Sequence, residues 1–131
     1  MELEQIAISG CNAITLPLRP DENGLLRSDW APMLNTLGDT DVSAETRAGI
    51  FHETMAQALV DQALAVRQTT AFEAVGLSGG VFQNRRLTER VVEKLREHDI
   101  EVRLHREIPA NDGGLSFGQI IEAAAIAHKG T

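Results

Sequence analysis

Two short runs carry residue types able to do chemistry. The first, Ser78-Gly79-Gly80-Val81-Phe82-Gln83-Asn84, follows an apolar stretch over residues 72–77. Adjacent glycines tolerate positive φ and let a ligand approach the main chain, and amides leading into a helix favour an anionic or polar group. A phosphate or nucleotide suits such a turn; so does a purely structural strand-to-helix turn with Asn84 as helix cap. The second run, Pro109-Ala110-Asn111-Asp112-Gly113-Gly114, sets one carboxylate ahead of two glycines. That carboxylate can face a hard cation held beside phosphates, or it can cap the helix or loop that follows. Other reactive residues form no comparable pattern. His52, His98, His105 and His128 include no pair four residues apart, the spacing of metal ligands on one helix face, and read as structural. Cys11 stands alone with no identifiable base, which excludes an internal disulfide and a cysteine cluster and leaves nucleophilic catalysis unsupported.

The elements around these runs follow from hydrophobic period and from capping residues. Residues 1–8 carry Leu3, Ile6 and Ala7 at helical spacing without a cap and read as the tail of a helix. Residues 13–18 and 25–27 flank the turn cluster Asp21-Glu22-Asn23-Gly24 and read as a hairpin. A short helix is expected over 30–37, with Pro32 in its first turn and Gly38 as its stop. Ser43 then caps the longest helical pattern, in which Phe51, Met55, Leu59 and Gln62 or Ala63, with Val66 beyond, recur until Thr69-Thr70. A buried strand over 72–77 enters the first glycine turn, and Asn84 opens a helix whose Leu87, Val91 and Leu95 share one stripe. Residues 100–104 alternate as a strand into the second glycine turn. An alanine-rich helix over 115–127, apolar nearly all round, is expected to be packed on several sides.

Alternating helices and strands after residue 43 imply parallel strands joined by right-handed crossovers. The fold class is therefore α/β, a hairpin followed by alternating helices and strands, as in a ribonuclease H-like lobe. Ligands in such sheets sit beyond the carboxyl ends of strands, so both glycine turns are expected to face one cleft.

Composition bounds the function. The chain has 131 residues, 43% hydrophobic and 24% charged, which suits one folded domain over 1–131. A net charge of −7 argues against nucleic acid and anionic membranes as partners. The basic residues between Arg85 and Arg106 interleave with Glu89, Glu93, Glu97, Asp99 and Glu101 and read as a solvated face. The N-terminal Met-Glu-Leu-Glu carries acids where a signal peptide needs basic residues, and no apolar run reaches membrane length, so the expected location is the cytoplasm.

Taken together, Leu77-Ser78-Gly79-Gly80-Val81-Phe82-Gln83-Asn84 and Pro109-Ala110-Asn111-Asp112-Gly113-Gly114-Leu115-Ser116-Phe117-Gly118-Gln119 resemble the carboxyl-terminal signature of HypF-type carbamoyltransferases, which mature nickel-iron hydrogenases. Phe51-His52 and Leu26-Arg27-Ser28-Asp29-Trp30 fit the same pattern, so the resemblance spans essentially the whole chain. Antibiotic O-carbamoyltransferases and tRNA threonylcarbamoyl transferases share the serine-glycine-glycine-valine turn. The Phe82-Gln83 pair and the Asp-Gly-Gly sequence favour the hydrogenase branch.

The resemblance implies one lobe of an actin-like ATPase fold, with Ser78, Gly79, Gly80, Val81 and Asn84 at the nucleotide and Asp112 as a metal ligand. It implies ATP with a carbamoyl-AMP intermediate, a divalent metal (Fe, Zn or Mg), carbamoyl phosphate as carbamoyl source and a HypE-type acceptor whose carboxyl-terminal cysteine takes the group. The family's His-x-x-x-His metal motif is not found in this sequence, and neither is the segment that makes carbamoyl-adenylate. The resemblance therefore implies a fragment, a half-site that needs the missing N-terminal lobe, inactive alone and prone to self-association through its open wall. The rival readings are a non-catalytic docking lobe and a related transferase acting on tRNA or a small-molecule hydroxyl.

Overall fold

The computed structural model describes residues 2–106 and 110–129. Pro109, the first residue of the second glycine run, lies outside them.

The N-terminal part wraps one side of a long helix. Helix α1 (Glu2–Ile6) leads to a two-stranded hairpin, β1 (Leu18–Pro20) and β2 (Leu26–Ser28), paired antiparallel with Leu18 opposite Ser28. Its turn is organised by Asp21, whose Oδ1 accepts from the amides of Asn23 and Leu25 while Oδ2 takes the Arg27 guanidinium at 2.8 Å. The hydrogen bond from Arg27 is the main cause that holds the Asp21 carboxyl below its ordinary value. The strand expected from residue 13 starts only at Leu18. Pro17 has no amide proton for a ladder. The Ile14 amide donates instead to Thr54 Oγ1 at 3.0 Å, and Leu16 is buried with Met33 and Ala58. That stretch packs across helices rather than pairing.

Helix α2 (Ala31–Gly38) has Pro32 in its first turn, and α3 (Ala44–Arg67) starts where the Ser43 hydroxyl accepts from the Thr46 amide. At 24 residues α3 is about 36 Å long and forms the spine of the molecule. Strand β3 (Ala74–Leu77) follows, then a single 3-10 turn (Gly80–Gln83), then α4 (Arg85–Glu97). Strand β4 (Glu101–Leu104) pairs parallel with β3, Ala74 opposite Glu101 and Leu77 opposite Leu104.

The main core lies where α3 and α4 pack on one side of this strand pair. Ala56 and Val60 of α3, Leu77 of β3, Leu87, Val91 and Leu95 of α4, and Ile100 make one buried cluster. Charged residues bind the helix pair at its rim. Arg90 donates through Nε to both Glu53 oxygens at 2.9 Å and through Nη1 to Glu93, and Lys94 donates to Gln57 Oε1. The hydrogen bond to Glu53, ahead of that to Glu93, raises the Arg90 pKa further. The interleaved charges are thus partly an inter-helix tie, because α4 presents Arg90 and Lys94 to α3 rather than only to water.

One expectation, the packing of the last helix, is corrected, and the layout of the sheets becomes defined. Among the described residues the hairpin does not join β3 and β4, so there are two separate two-stranded sheets. The last helix, α5 (Leu115–Lys129), is preceded by a short turn (Asp112–Gly114) and is not packed on several sides. Leu115, Phe117, Ile120, Ile121 and Ile126 are all exposed, Ile126 at 66%. Helices α3 and α4 already occupy the apolar side of β3 and β4, so α5 is held mainly by the turn that precedes it.

Candidate functional site

Strand β3 delivers Ser78 and Gly79 to the carboxyl end of the parallel pair, and β4 delivers His105 to the same end. Gly79 stands at φ 103° and ψ 158°, a region open in practice to glycine alone. This geometry turns its amide toward the second glycine run, where it donates to the Ala110 carbonyl at 2.6 Å. One hydrogen bond therefore joins the two turns. The second turn is organised by Asn111, whose Oδ1 accepts from the Gly113 amide at 3.0 Å and whose carbonyl accepts from Gly114. Capping there belongs to Asn111 and not to Asp112. Among the described residues no hydrogen bond or ion pair engages the Asp112 carboxylate, which is exposed.

Between the turns lies an open cleft of ≈ 560 Å³, lined by Ser78, Gly79, His105, Asn111, Asp112 and, on an apolar wall, Phe117. The expectation that both glycine turns face one cleft holds. Gly80 and Val81 occupy the adjoining 3-10 turn, where Gly80 has open space around it and Val81 is 53% exposed.

Asn84 is not brought to this cleft. Its Oδ1 accepts from the Leu87 amide at 2.9 Å and caps α4, while its Nδ2 lies 2.9 Å from His52 Nε2. His52 is 1% exposed, and its Nδ1 sits 2.7 Å from the Ala48 carbonyl. A carbonyl only accepts, so Nδ1 carries the proton and Nε2 accepts from Asn84. The histidine is structural, as its place in α3 suggested, and Asn84 fixes the start of α4.

His105, which reads as structural in the sequence, lines the candidate cleft. Its Nε2 lies 3.0 Å from Ser78 Oγ, across 27 residues of chain. The signal was its place at the end of β4 beside the end of β3, visible once the parallel register is drawn.

A second groove, between the N-terminal segment and α4, is a structural joint. Arg86 spans it, donating through Nη1 to the Ala7 carbonyl at 2.6 Å and through Nη2 to the Ile8 carbonyl, while the Arg86 amide donates to Glu4. Its charges are used in holding the chain together.

Hard divalent cations take about six to eight oxygen ligands. Among the described residues no three His, Cys, Asp or Glu side chains stand together as a possible metal site. The described residues therefore do not fit a resident metal by themselves, and Asp112 offers one carboxylate to the cleft.

Comparison with known proteins places this geometry. Residues 1–119 match the family described as "Carbamoyltransferase, Kae1-like Domain, second subdomain". The chain belongs to this family. Carbamoyltransferase HypF of Rhodobacter capsulatus is 41% identical over 97 residues, which is 74% of this chain and 13% of that protein. A solved full-length HypF, described as the phosphate- and nucleotide-bound form, superposes with a TM-score of 0.85 over 95% of this chain at 30% identity. HypF of T. kodakarensis superposes at 0.74 over 98% with 22% identity, a likeness of fold. This chain spans 17% of each of those two solved chains. Helices with small sheets are thus a HypF-like α/β arrangement, and the relatives carry the name of an enzyme.

Proposed function

We propose that this chain forms the nucleotide half-site of an ATP-dependent carbamoyltransferase of the HypF type. The observation that carries the reading is the junction of the two glycine turns. Gly79 bonds Ala110, and Ser78 and Asp112 then line a single cleft beyond the ends of two parallel strands. In open α/β sheets that is where ligands bind. The relative crystallised with phosphate and nucleotide supports assigning the cleft to a phosphate-bearing ligand.

Within this reading Ser78, Gly79, Gly80 and Val81 frame the nucleotide phosphates. Asn84 holds the turn's exit by capping α4. Asp112 adds one carboxylate to a divalent metal centre, with Fe, Zn and Mg as the ions to test, whose remaining ligands come from outside this chain. The parallel β3 and β4 are part of a ribonuclease H-like lobe of an actin-like fold, completed by the other lobe. The exposed apolar face of α5 fits that arrangement, since an uncovered stripe of isoleucines favours burial or self-association.

The reaction proposed for the whole enzyme hydrolyses carbamoyl phosphate to carbamate and phosphate, joins carbamate to ATP as carbamoyl-AMP with release of pyrophosphate, and passes the carbamoyl group to the carboxyl-terminal cysteine thiol of a HypE-type acceptor with release of AMP. The acidic chain suits a protein acceptor in the cytoplasm rather than nucleic acid or a membrane. Among the described residues no helix is long and apolar enough to cross a membrane.

The test is carbamoyl-phosphate-dependent exchange of pyrophosphate into ATP by this chain alone and mixed with the upstream segment of a HypF relative. Exchange restored only by mixing supports the half-site. A folded, associated mixture without exchange supports a docking lobe, the second reading, which the exposed α5 face favours.

A further inference from the structure

The cleft poses an electrostatic problem for any phosphate. Its lining includes the carboxylates of Asp112 and Glu122 and, among the described residues, no lysine or arginine. The Gly79 amide, the first donor expected of a glycine turn, is already committed to the Ala110 carbonyl. His105 is then the one described lining side chain that can carry positive charge, and it reaches the cleft through Ser78.

We propose that His105 is a positioning residue that sets the Ser78 hydroxyl as a donor to an anionic phosphate oxygen. This rests on the nucleotide reading above. A hydroxyl has one proton and two lone pairs and rotates to suit its neighbours. When Nε2 of His105 carries hydrogen, it donates to Ser78 Oγ across the 3.0 Å contact. The hydroxyl proton is then directed into the cleft, where a phosphate oxygen accepts it. When Nε2 is bare, the hydroxyl donates back to the ring and shows a lone pair to the cleft, which repels an anion. A phosphate-bearing ligand therefore selects the Nε2-protonated ring, and that ring holds the hydroxyl as a donor toward the ligand. Both side chains are exposed in the chain, so the pair contributes little to folding and its effect falls on binding.

The experiment uses the 131-residue chain with ATP, and with inorganic phosphate as competitor. Binding is measured by calorimetry for wild type, His105→Ala, Ser78→Ala, the double variant and His105→Gln, with the ring nitrogens of His105 followed by long-range nitrogen–proton NMR. The expected result is a rise in Kd of about tenfold for either alanine variant, as for loss of one hydrogen bond to a charged group. The double variant should be no weaker than the singles, and His105→Gln, whose amide can donate to Ser78, should recover part of the affinity. ATP and phosphate should both move the ring to the Nε2-protonated pattern, and the melting midpoint should stay put. Unchanged affinity in His105→Ala, or losses that add independently in the double variant, overturns the proposal and leaves the nucleotide reading standing. A wild-type chain that binds neither probe, alone or mixed with the upstream segment, overturns both.

Discussion

Replacing Gly79 with alanine should open the junction between the two turns, while the same change at its neighbour Gly80 should be tolerated. The contrast comes from backbone angle and not from space, since nothing stands within 4 Å of a Cβ built at either position. At φ 103° and ψ 158° an alanine carries strain of about 1–3 kcal/mol. Relief by rotation swings the amide away from the Ala110 carbonyl and forfeits a hydrogen bond worth about 1 kcal/mol. Because rotation relieves the strain, the variant bears the smaller of the two costs, about 1 kcal/mol, at the ends of β3 and β4, since neither Gly79 nor Ala110 belongs to the buried core of α3 and α4. Amide hydrogen exchange reads this directly. In Gly79→Ala the amide of residue 79 should lose its protection, those of Val91 and Leu95 should keep theirs, and ATP affinity should fall. Gly80 has no positive φ, so Gly80→Ala should leave the protection of the residue 79, Val91 and Leu95 amides unchanged. If the residue 79 amide of the Gly79→Ala variant proved as protected as that of wild type, the argument that glycine is required there for its conformation would be refuted.

Other expectations follow from the packing and the caps. Gly49→Ala builds a Cβ 2.5 Å from Cys11 Sγ and 2.6 Å from the Ile8 carbonyl, so the N-terminal segment must shift. Overpacking of about 1–3 kcal/mol exceeds the gain in helix propensity of about 1 kcal/mol, and urea denaturation should show a net loss that Cys11→Ala only partly restores. Asn84→Ala removes the α4 cap and leaves the buried His52 Nε2 without its donor, a combined cost of about 2–4 kcal/mol. Asn84→Ser should keep the cap and recover about 1 kcal/mol of it in thermal melts. The Asp21 carboxyl is held below its ordinary value of 3.8, chiefly by the hydrogen bond from Arg27. A depressed folded pKa stabilises the hairpin above the unfolded value, and that contribution is lost as pH falls through the folded one. Following the Leu25 amide by NMR, Arg27→Ala should move the midpoint upward toward the ordinary value; an unmoved midpoint would count against the pairing.

Local chemistry was legible in the order of residues. Ser43 before α3 and Asn84 before α4 announce helix starts because each side chain satisfies an amide three residues on, and both are seen doing so. The stripe of Leu87, Val91 and Leu95 announces a buried face because it repeats at the helical period, and it is the core. The two glycine turns and Asp112 were legible as a cleft because strands that alternate with helices run parallel and end at one edge.

Tertiary structure decided the rest, wherever the deciding partner lies far along the chain or outside it. The Ile14 amide turned to Thr54, 40 residues on, so residues 13–17 became a packed segment and not a strand. Asn84 reads as a helix cap, and only the fold shows that its side-chain amide also reaches His52, 32 residues earlier. His105 had no spacing to mark it, since only the register of β3 on β4 sets it beside Ser78. The apolar pattern of α5 says that this helix has a surface to cover, and a pattern along one helix carries no information about what covers it. By itself the sequence determined elements, caps and the two turns, because those depend on neighbours within about one helical turn. Which polar atoms meet depended on long-range packing, because a hydrogen bond forms only where the fold brings a donor within about 3 Å of its acceptor.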